Sequence, residues 1–329
     1  MIHFAEKVLI IGHTGVHGAA IERQLIRLGH PRSHVIHAPG SNMDWGDQQT
    51  VMQFLSSTQP DQIYLPAKHF FPEVHREALS ALTTRTAILN VITSAALLGI
   101  KKLLLLTGSE VYPQSRLRPY AEEDLLAGQL HKQTAFDALV QIMAMKYCQE
   151  LSQQNLEPVA LDFRCAVLGE LYGHGELCTR HSAHWVAGIL QLLDTAKTGN
   201  APGVVVPMAA DTRVDLLYVD DMAEAAVYTM EVPRKAYMEQ MDPHHPHINI
   251  GGGQSVEVQQ LVQSMATALG YCGQLAYATS ESEHGSSLKS LDTHRLSQLG
   301  WTPMMGLAQG IEIACMDYQL HRNNRLKAA

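Results

Sequence analysis

The sequence predicts an α/β protein: a Rossmann-like, doubly wound parallel sheet with a smaller C-terminal substrate-binding lobe. Three observations support this prediction. Apolar runs alternate with helical periodicity in the first half of the chain, a glycine-rich turn joins the first run to the first helix, and the alternation stops near residue 170. We therefore place a larger Rossmann-like domain at 1–169 and mainly the smaller lobe at 170–329.

The larger domain is predicted element by element from its apolar patterns. EKVLIIG is an apolar run that ends in glycine, as a buried strand does, and a helical pattern follows it. Strand–helix–strand units place parallel strands in one sheet. The predicted strands lie at 6–12, 33–38, 61–67, 101–107 and 157–169, and the longer helices lie at 75–99 and 134–153.

The second half of the chain is predicted to mix helices with short strands. HSAHWVAGILQLLDTAK and VEVQQLVQSMATALG have helical patterns, and HINIGGG is a short strand with a glycine turn. Asp220 is a candidate N-cap for the helix that starts at DMAEAA. We expect the strand near 214–219 and the helix near 220–230 to return to the larger domain.

Composition narrows the classes of partner. The 329 residues carry a net charge of −8, which argues against nucleic acid and anionic membrane as main partners. No leader-like segment is present and no apolar run approaches membrane-spanning length, so we expect a cytoplasmic protein that binds a small molecule. The five cysteines are scattered without a CxxC pair, which predicts no disulfide framework.

The turn GHTGVHG has the spacing of a phosphate-binding loop. Gly12, Gly15 and Gly18 lie between the first strand and the first helix, where a tight turn and free helix N–H groups favour a pyrophosphate. His13 and Thr14 complete the candidate cofactor-binding loop. The turn therefore predicts NAD(P) binding, with a glycine turn that binds nothing as the alternative.

The spacing GxxGxxG and further stretches along the chain resemble the extended short-chain dehydrogenase/reductase superfamily of the NAD-dependent epimerase/dehydratase type. Within it they look most like the GDP-L-fucose synthases, dual epimerase–reductases that act on GDP-4-keto-6-deoxymannose. The resemblance spans nearly the whole chain. It includes the stretches DQIYLPA, KKLLLLTGSEVYP, AEEDLLAGQL, NAPGVVV, YVDDMAEA, HINIGGG and SLDTHRLSQLGW.

The resemblance implies a serine, a tyrosine and a lysine as the reductase residues. The tyrosine relays a proton, the lysine lowers the pKa of the tyrosine, and the serine holds the substrate oxygen. Here these positions read Gly108, Asp137 and Gln141. Ser109, next to the serine position, and Asp137, as a proton acceptor, are the candidates that remain. We predict that ordinary ketone reduction is lost.

The resemblance also implies a cysteine and a histidine that invert carbons beside the ketone. These positions are Glu110 and His184, a carboxylate–imidazole pair that is competent for enolisation. Asp47 matches the family aspartate near the adenine. The arginines of NADP-preferring members read Thr14 and His37. Candidate substrate contacts are Arg213, next to the expected arginine position, and Lys289.

Two groups of histidines raise the question of a metal. His174, Cys178, His181 and His184 would share one face of a helix, but one helix alone cannot surround an ion, and we predict no metal site. The histidines of DPHHPHIN (242–249) lie in a Pro-rich turn, which we interpret as a solvated loop.

Three functions remain open from the sequence. The first is a non-standard epimerase or isomerase, or otherwise repurposed enzyme, that uses Glu110 and His184 on a keto-sugar-like metabolite. The second is an inactive protein that serves as a cofactor-binding or partner subunit. The third is an NAD(P)-dependent nucleotide-sugar epimerase/reductase. From the resemblance we also expect a homodimer formed through the helices at 75–99 and 134–153.

Overall fold

The computed structural model describes residues 5–13, 15–39, 43–67, 78–113, 118–132, 134–154, 160–174, 185–279 and 290–328, without the side chains of 78–85 and 323–328. Its largest sheet has six parallel strands. They are β1 (Val8–Ile10), β2 (Val35–His37), β3 (Gln62–Pro66), β4 (Lys102–Gly108), β5 (Asp162–Leu168) and β9 (Ile248–Ile250). The order β2-β1-β3-β4-β5-β9 turns back at β1, so the predicted doubly wound sheet is confirmed.

Helices cover both faces of this sheet. One face packs on α2, α3 and α4, and the other face packs on α1 and α6. These helices are α1 (Val16–Arg27), α2 (Gln48–Thr58), α3 (Ala78–Leu97), α4 (Ala135–Gln153) and α6 (Val219–Glu231). Side chains alternate between the two faces along a strand. Leu103 and Leu105 therefore enter one core while Leu104 and Leu106 enter the other, and the run KKLLLLT is continuously apolar.

The smaller lobe contains two further sheets and a third core. A three-stranded sheet has the order β10-β8-β6, and β7 and β11 form a parallel pair. These strands are β6 (Glu170–Tyr172), β7 (Gly203–Val206), β8 (Arg213–Tyr218), β10 (Ser255–Glu257) and β11 (Gln274–Tyr277). The remaining helices are α5 (Trp185–Thr198), α7 (Arg234–Gln240), α8 (Val258–Leu269), α9 (His294–Gln298) and α10 (Leu307–Ala328).

Residues 214–231 connect the two parts of the molecule differently from our expectation. α6 packs against α1 in the core of the larger domain. β8, however, pairs with β6 and β10 outside the main sheet, and β9 takes the place beside β5. The predicted helix at 256–270 loses its first residues to β10 because β8 offers them an edge to pair with.

The N-cap predicted at Asp220 is wrong. α6 begins at Val219, and no side chain caps it. The Asp220 carboxylate instead accepts hydrogen bonds at 3.0 Å from Arg23 of α1 and from His174 after β6. Partial burial opposes its ionisation, but these two bonds outweigh that effect and lower the pKa of Asp220 to about 2. Asp220 therefore ties α6 to α1 and to the smaller lobe.

No helix among the described residues is both long enough and apolar enough to span a membrane.

Candidate functional site

The glycine turn has the geometry that a pyrophosphate loop needs. Gly12 has a positive φ of 68°, which favours glycine, and its carbonyl accepts a hydrogen bond from Gly15 at 2.9 Å. Gly15 is the N-cap of α1. A Cβ on Gly18 would lie 2.4 Å from the Gly12 oxygen, so only glycine lets α1 pack this closely. Thr14 lies outside the described residues.

A dinucleotide fits this turn. The first turn of α1 contains no acidic residue, so no negative charge there opposes an anion at the positive end of the helix dipole. The turn follows β1 at the point where the strand order reverses, which is where doubly wound sheets bind dinucleotides. The residues that would hold the pyrophosphate are Gly12, His13, Gly15 and the backbone at the start of α1.

Two histidines meet beside this turn. The rings of His13 and His37 are stacked, with centroids 4.4 Å apart and planes 4° from parallel. His37 Nε2 lies 3.1 Å from the Glu22 carboxylate of α1. Desolvation and the neighbouring His37 together lower the pKa of His13. The sequence pattern indicated that His37 stands where NADP-preferring relatives place an arginine, but it did not predict this contact.

Asp47, the candidate adenine contact, is the N-cap of α2. Its carboxylate accepts hydrogen bonds from the N–H and the hydroxyl of Thr50. This local role accounts for Asp at position 47. Its role toward an adenine stays a prediction.

The end of β4 places Glu110 and Gln141 in direct contact. Gln141 of α4 donates from Nε2 to Glu110 Oε1 at 2.8 Å, and its Oε1 accepts from the Gly108 N–H at 2.9 Å. All three groups are buried. A Cβ on Gly108 would lie 2.2 Å from Glu110 Oε2. The Glu110 carboxylate therefore occupies the space that a serine side chain at position 108 would need.

The other described catalytic candidates lie on the same two elements as Glu110 and Gln141. Ser109 is partly exposed on the short 3-10 turn after β4, and Asp137 is exposed in the first turn of α4. Thr107 is buried and donates to the Ala166 carbonyl at 3.1 Å, which is a structural role. His184 lies outside the described residues, so its distance from Glu110 stays a prediction.

The candidate substrate contacts are only partly described. Arg213 is exposed and donates to Ser255 at 2.9 Å, with Glu257 3.7 Å away, so its guanidinium joins β8 to β10. Lys289 lies outside the described residues, as do Cys178 and His181. Among the residues that the structure describes, no cluster of histidine, cysteine and acidic side chains is arranged to hold a metal ion.

A buried polar network behind Glu110 was not predicted. The Tyr112 hydroxyl donates to Asn249 at 2.6 Å and lies 2.8 Å from His247. Asn249 donates from its backbone to Glu122 at 2.9 Å. His247 has no solvent exposure, so the expectation of a solvated histidine loop is wrong there. The apolar run that starts at residue 248 was the sequence signal that this end of the loop enters the core.

Burial and charge shift the pKa values of this network. Burial raises the pKa of Glu122 to about 7, even though Arg295 lies 3.5 Å from it. Burial, followed by the charge of Arg295, holds the pKa of His247 well below its usual range. Glu122 is thus a buried carboxyl with a raised pKa, connected through Asn249 to Tyr112, which lies two residues after Glu110.

Comparison with known proteins identifies the family. The model of the NAD dependent epimerase/dehydratase family matches residues 8–251. The chain is 30% identical over 309 residues to a GDP-L-fucose synthase from Escherichia coli K12, covering 93% of this chain and 94% of that protein. It is 28% identical to a putative GDP-L-fucose synthase 2 from Arabidopsis thaliana, covering 94% and 91%.

Solved structures share the fold at lower identity. A GDP-D-glycero-L-gluco-heptose synthase from Campylobacter jejuni, solved in the presence of NADPH, has a TM-score of 0.84 at 21% identity, covering 97% of this chain and all of that one. A UDP-glucose 4-epimerase from Thermotoga maritima has a TM-score of 0.73 at 16% identity, covering 96% and 99%. The chain therefore belongs to the NAD-dependent epimerase/dehydratase family of extended short-chain dehydrogenases/reductases and is similar to the GDP-L-fucose synthases.

Proposed function

We propose that this chain is a nucleotide-sugar enzyme of the epimerase/reductase kind in which proton transfer is the main chemical step. Glu110 acts as the acid/base at a carbon next to a ketone, Gln141 positions Glu110, and the glycine turn binds NAD(P). His184 is the proposed second acid/base. The substrate class is a GDP-linked keto-sugar, by similarity to relatives named GDP-L-fucose synthase.

One observation carries the proposal. Gln141 is fixed between the Gly108 N–H and the Glu110 carboxylate by two hydrogen bonds, and Gly108 leaves room for that carboxylate. Each of the three residues requires the other two. A serine at 108 would displace Glu110, and a shorter side chain at 141 would leave both of its partners without these bonds. This mutual fit is typical of a site built to hold a carboxylate in one orientation.

The chemistry requires only proton exchange. A C–H bond next to a ketone is acidic because its electron pair moves onto the carbonyl oxygen as an enolate. The Glu110 carboxylate accepts that proton, and His184, as the proposed acid, returns one to the carbon. The configuration inverts with no net oxidation. Such positioned acid/base groups contribute roughly 10²–10⁴-fold each.

The groups for hydride transfer differ from those that the family resemblance implies. NAD(P) bound at the glycine turn would supply hydride chemistry at the ketone. The tyrosine and lysine positions hold Asp137 and Gln141. A carboxyl group is a poorer proton donor than the phenol–lysine pair that the resemblance implies. Because these two positions hold neither a tyrosine nor a lysine, we propose that reduction is much slower than proton exchange.

A full epimerase/reductase is the second candidate. It is favoured by the GDP-L-fucose synthase relatives that match 93% of the chain and by the intact glycine turn. If reduction occurs, Asp137 or Ser109 would have to carry the proton to the substrate oxygen. This candidate predicts rapid, stoichiometric oxidation of NADPH.

One incubation separates the candidates. The purified protein is mixed with GDP-4-keto-6-deoxymannose in D₂O, with and without NADPH. Deuterium uptake is followed by NMR and NADPH oxidation by absorbance. Deuterium uptake without NADPH oxidation supports our proposal, whereas rapid NADPH oxidation favours the second candidate. If the nucleotide-sugar binds but neither reaction occurs, the chain is a binding subunit and the catalytic proposal is wrong.

A further inference from the structure

We infer that His13, His37 and Glu22 form a selector at the adenosine end of the dinucleotide site, which makes the preference between NADP and NAD depend on pH. The inference rests on the proposed binding of a dinucleotide at the glycine turn. It assigns the 2′-phosphate of NADP to a paired imidazole site instead of to arginine.

The position of the three residues supports this assignment. In doubly wound sheets the end of the second strand lies beside the adenosine ribose, where an acidic residue selects the 2′-hydroxyl of NAD or an arginine selects the 2′-phosphate of NADP. His37 is the last residue of β2, which pairs with β1 directly before the glycine turn. His13 follows Gly12 in that turn. Both imidazoles therefore stand where the two cofactors differ.

The contacts give the selector two imidazoles and one carboxylate. The rings of His13 and His37 stack at 4.4 Å, and His37 Nε2 lies 3.1 Å from Glu22 Oε2. The His37 side chain is 45% exposed and that of Glu22 is 23% exposed, so a ligand can reach both. In the described part of the chain, the titratable groups that interact electrostatically with His13 are His37 from β2 and Glu22 from α1.

The net charge of this group becomes less negative as its imidazoles gain protons. When neither imidazole carries a proton, the Glu22 carboxylate repels a phosphate dianion, and each proton added to an imidazole reduces that repulsion. A proton on His37 Nε2, which lies 3.1 Å from the Glu22 carboxylate, could also bind a phosphate, and imidazoles in general gain protons as the pH falls toward about 6.5. Burial and the stacked neighbour delay protonation of His13, so a bound phosphate would be needed to bring the second proton. Lower pH should therefore favour NADP over NAD.

The phosphate itself works against this trend. Its second pKa is about 6, so a phosphate alone carries less charge as the pH falls and should bind more weakly. An NADP preference that grows at low pH therefore has to come from groups on the protein. Because NAD lacks the 2′-phosphate, its affinity measures binding to the rest of the dinucleotide site.

The test is calorimetric titration of the full-length protein with NAD and with NADP at about pH 6 and about pH 8. One charge-assisted bond predicts that the ratio of Kd(NAD) to Kd(NADP) rises roughly tenfold or more toward low pH. H37Q should remove this rise, and E22Q should tighten NADP binding at the higher pH. H34Q, a substitution three residues away on the same segment, is the matched control and should behave as wild type.

A second readout is the NMR titration of the His37 ring with and without NADP, where bound NADP should raise its pKa. If NAD binds at both pH values but the ratio stays flat, the selector is overturned while the dinucleotide site stands. If neither dinucleotide binds, both the selector and the proposed dinucleotide site are overturned.

Discussion

Two turns at the same edge of the main sheet differ in how closely their residues match the family pattern. The turn after β1 has the three glycines of a pyrophosphate-binding loop. Gly12 has a positive φ, Gly15 is the N-cap of α1, and Gly18 has no room for a Cβ. The turn after β4, together with α4, holds Gly108, Glu110 and Gln141 where the family resemblance implies serine, cysteine and lysine. The first turn is conventional in sequence and shape. The second holds residues that differ from those the resemblance implies at all three positions.

The difference teaches that binding and chemistry can be separated within one fold. A pyrophosphate is held mainly by backbone N–H groups, which persist wherever the glycines allow the turn. Proton and hydride transfer depend on particular side chains, so a few substitutions change the reaction while the binding site persists. The following predictions test each side of this contrast.

The largest expected effect is on the glycine turn. In Gly18→Ala the new Cβ would lie 2.4 Å from the Gly12 oxygen and 2.6 Å from the His13 Cα, and backbone cannot move aside cheaply. We expect a loss of about 3 kcal/mol in the free energy of unfolding and loss of NAD(P) binding, measured by urea denaturation and calorimetry. Gly188→Ala is the control. Its Cβ meets nothing within 4 Å on α5, so it should gain about 0.5–1 kcal/mol. Equal behaviour of the two variants would contradict the steric account of the turn.

The buried polar network that contains Tyr112, Asn249 and Glu122 should make the free energy of unfolding depend on pH. The pKa of Glu122 rises from 4.5 to about 7 on folding because of burial. A carboxyl with a raised pKa contributes its full stability below its unfolded pKa and loses it as the pH rises through the folded pKa. We therefore expect the free energy of unfolding to fall by up to about 3 kcal/mol from this group between pH 5 and pH 8. Glu122→Gln should flatten that part of the profile, whereas Glu150→Gln on the exposed end of α4 should leave it unchanged. A steep profile in Glu122→Gln would show that another group is responsible.

The Gly108→Ala substitution should have a smaller effect, which is to move the Glu110 carboxylate away from Gln141. In Gly108→Ala the added Cβ falls 2.2 Å from Glu110 Oε2, and the flexible carboxylate can swing away. The cost is the lost hydrogen bond to Gln141, about 1–2 kcal/mol of unfolding free energy. We expect dinucleotide binding to survive and proton exchange to fall at least roughly tenfold. Unchanged exchange in this variant would mean that the orientation of Glu110 is irrelevant.

The last effect concerns self-association through the predicted homodimer interface. Phe136, Leu139 and Met143 form a stripe along α4, and they are 57%, 51% and 49% exposed. If α4 lies in a dimer interface, Phe136→Asp should weaken self-association by about 1–3 kcal/mol, read by light scattering across a dilution series. Met304→Asp, at an equally apolar side chain that is 79% exposed elsewhere, is the control. If the wild-type protein is monomeric throughout the dilution series, the predicted homodimer is wrong.

The sequence predicted the larger domain well because its signals are local. Apolar runs such as KKLLLLT predicted buried strands, and GHTGVHG predicted the turn between β1 and α1. Pairing in the smaller lobe was less predictable. The place of β8 beside β6 and β10 depends on which edges are free in three dimensions, and the pattern of a single strand does not contain that information.

The sequence suggested the positions of the candidate site but not the contact between them. Glu110 was predicted as a catalytic residue, and Gln141 was interpreted only as a lost lysine. The contact between them joins residues 31 positions apart, and no local pattern encodes it. The presence of glycine at 108, two residues before Glu110, was the available signal, since a carboxylate folded back over the chain needs that space.

The most direct test of the account is the rate of solvent deuterium uptake into the carbons beside the ketone of a bound GDP-keto-sugar, in wild type and in Glu110→Gln. Glutamine keeps the shape of Glu110 but cannot accept the proton. The account predicts a loss of roughly 10²–10⁴-fold in that rate, while NAD(P) binding and the folded structure are kept, and wild-type rates in Glu150→Gln. A Glu110→Gln variant that exchanges deuterium at the wild-type rate would contradict the central claim that this carboxylate is the base.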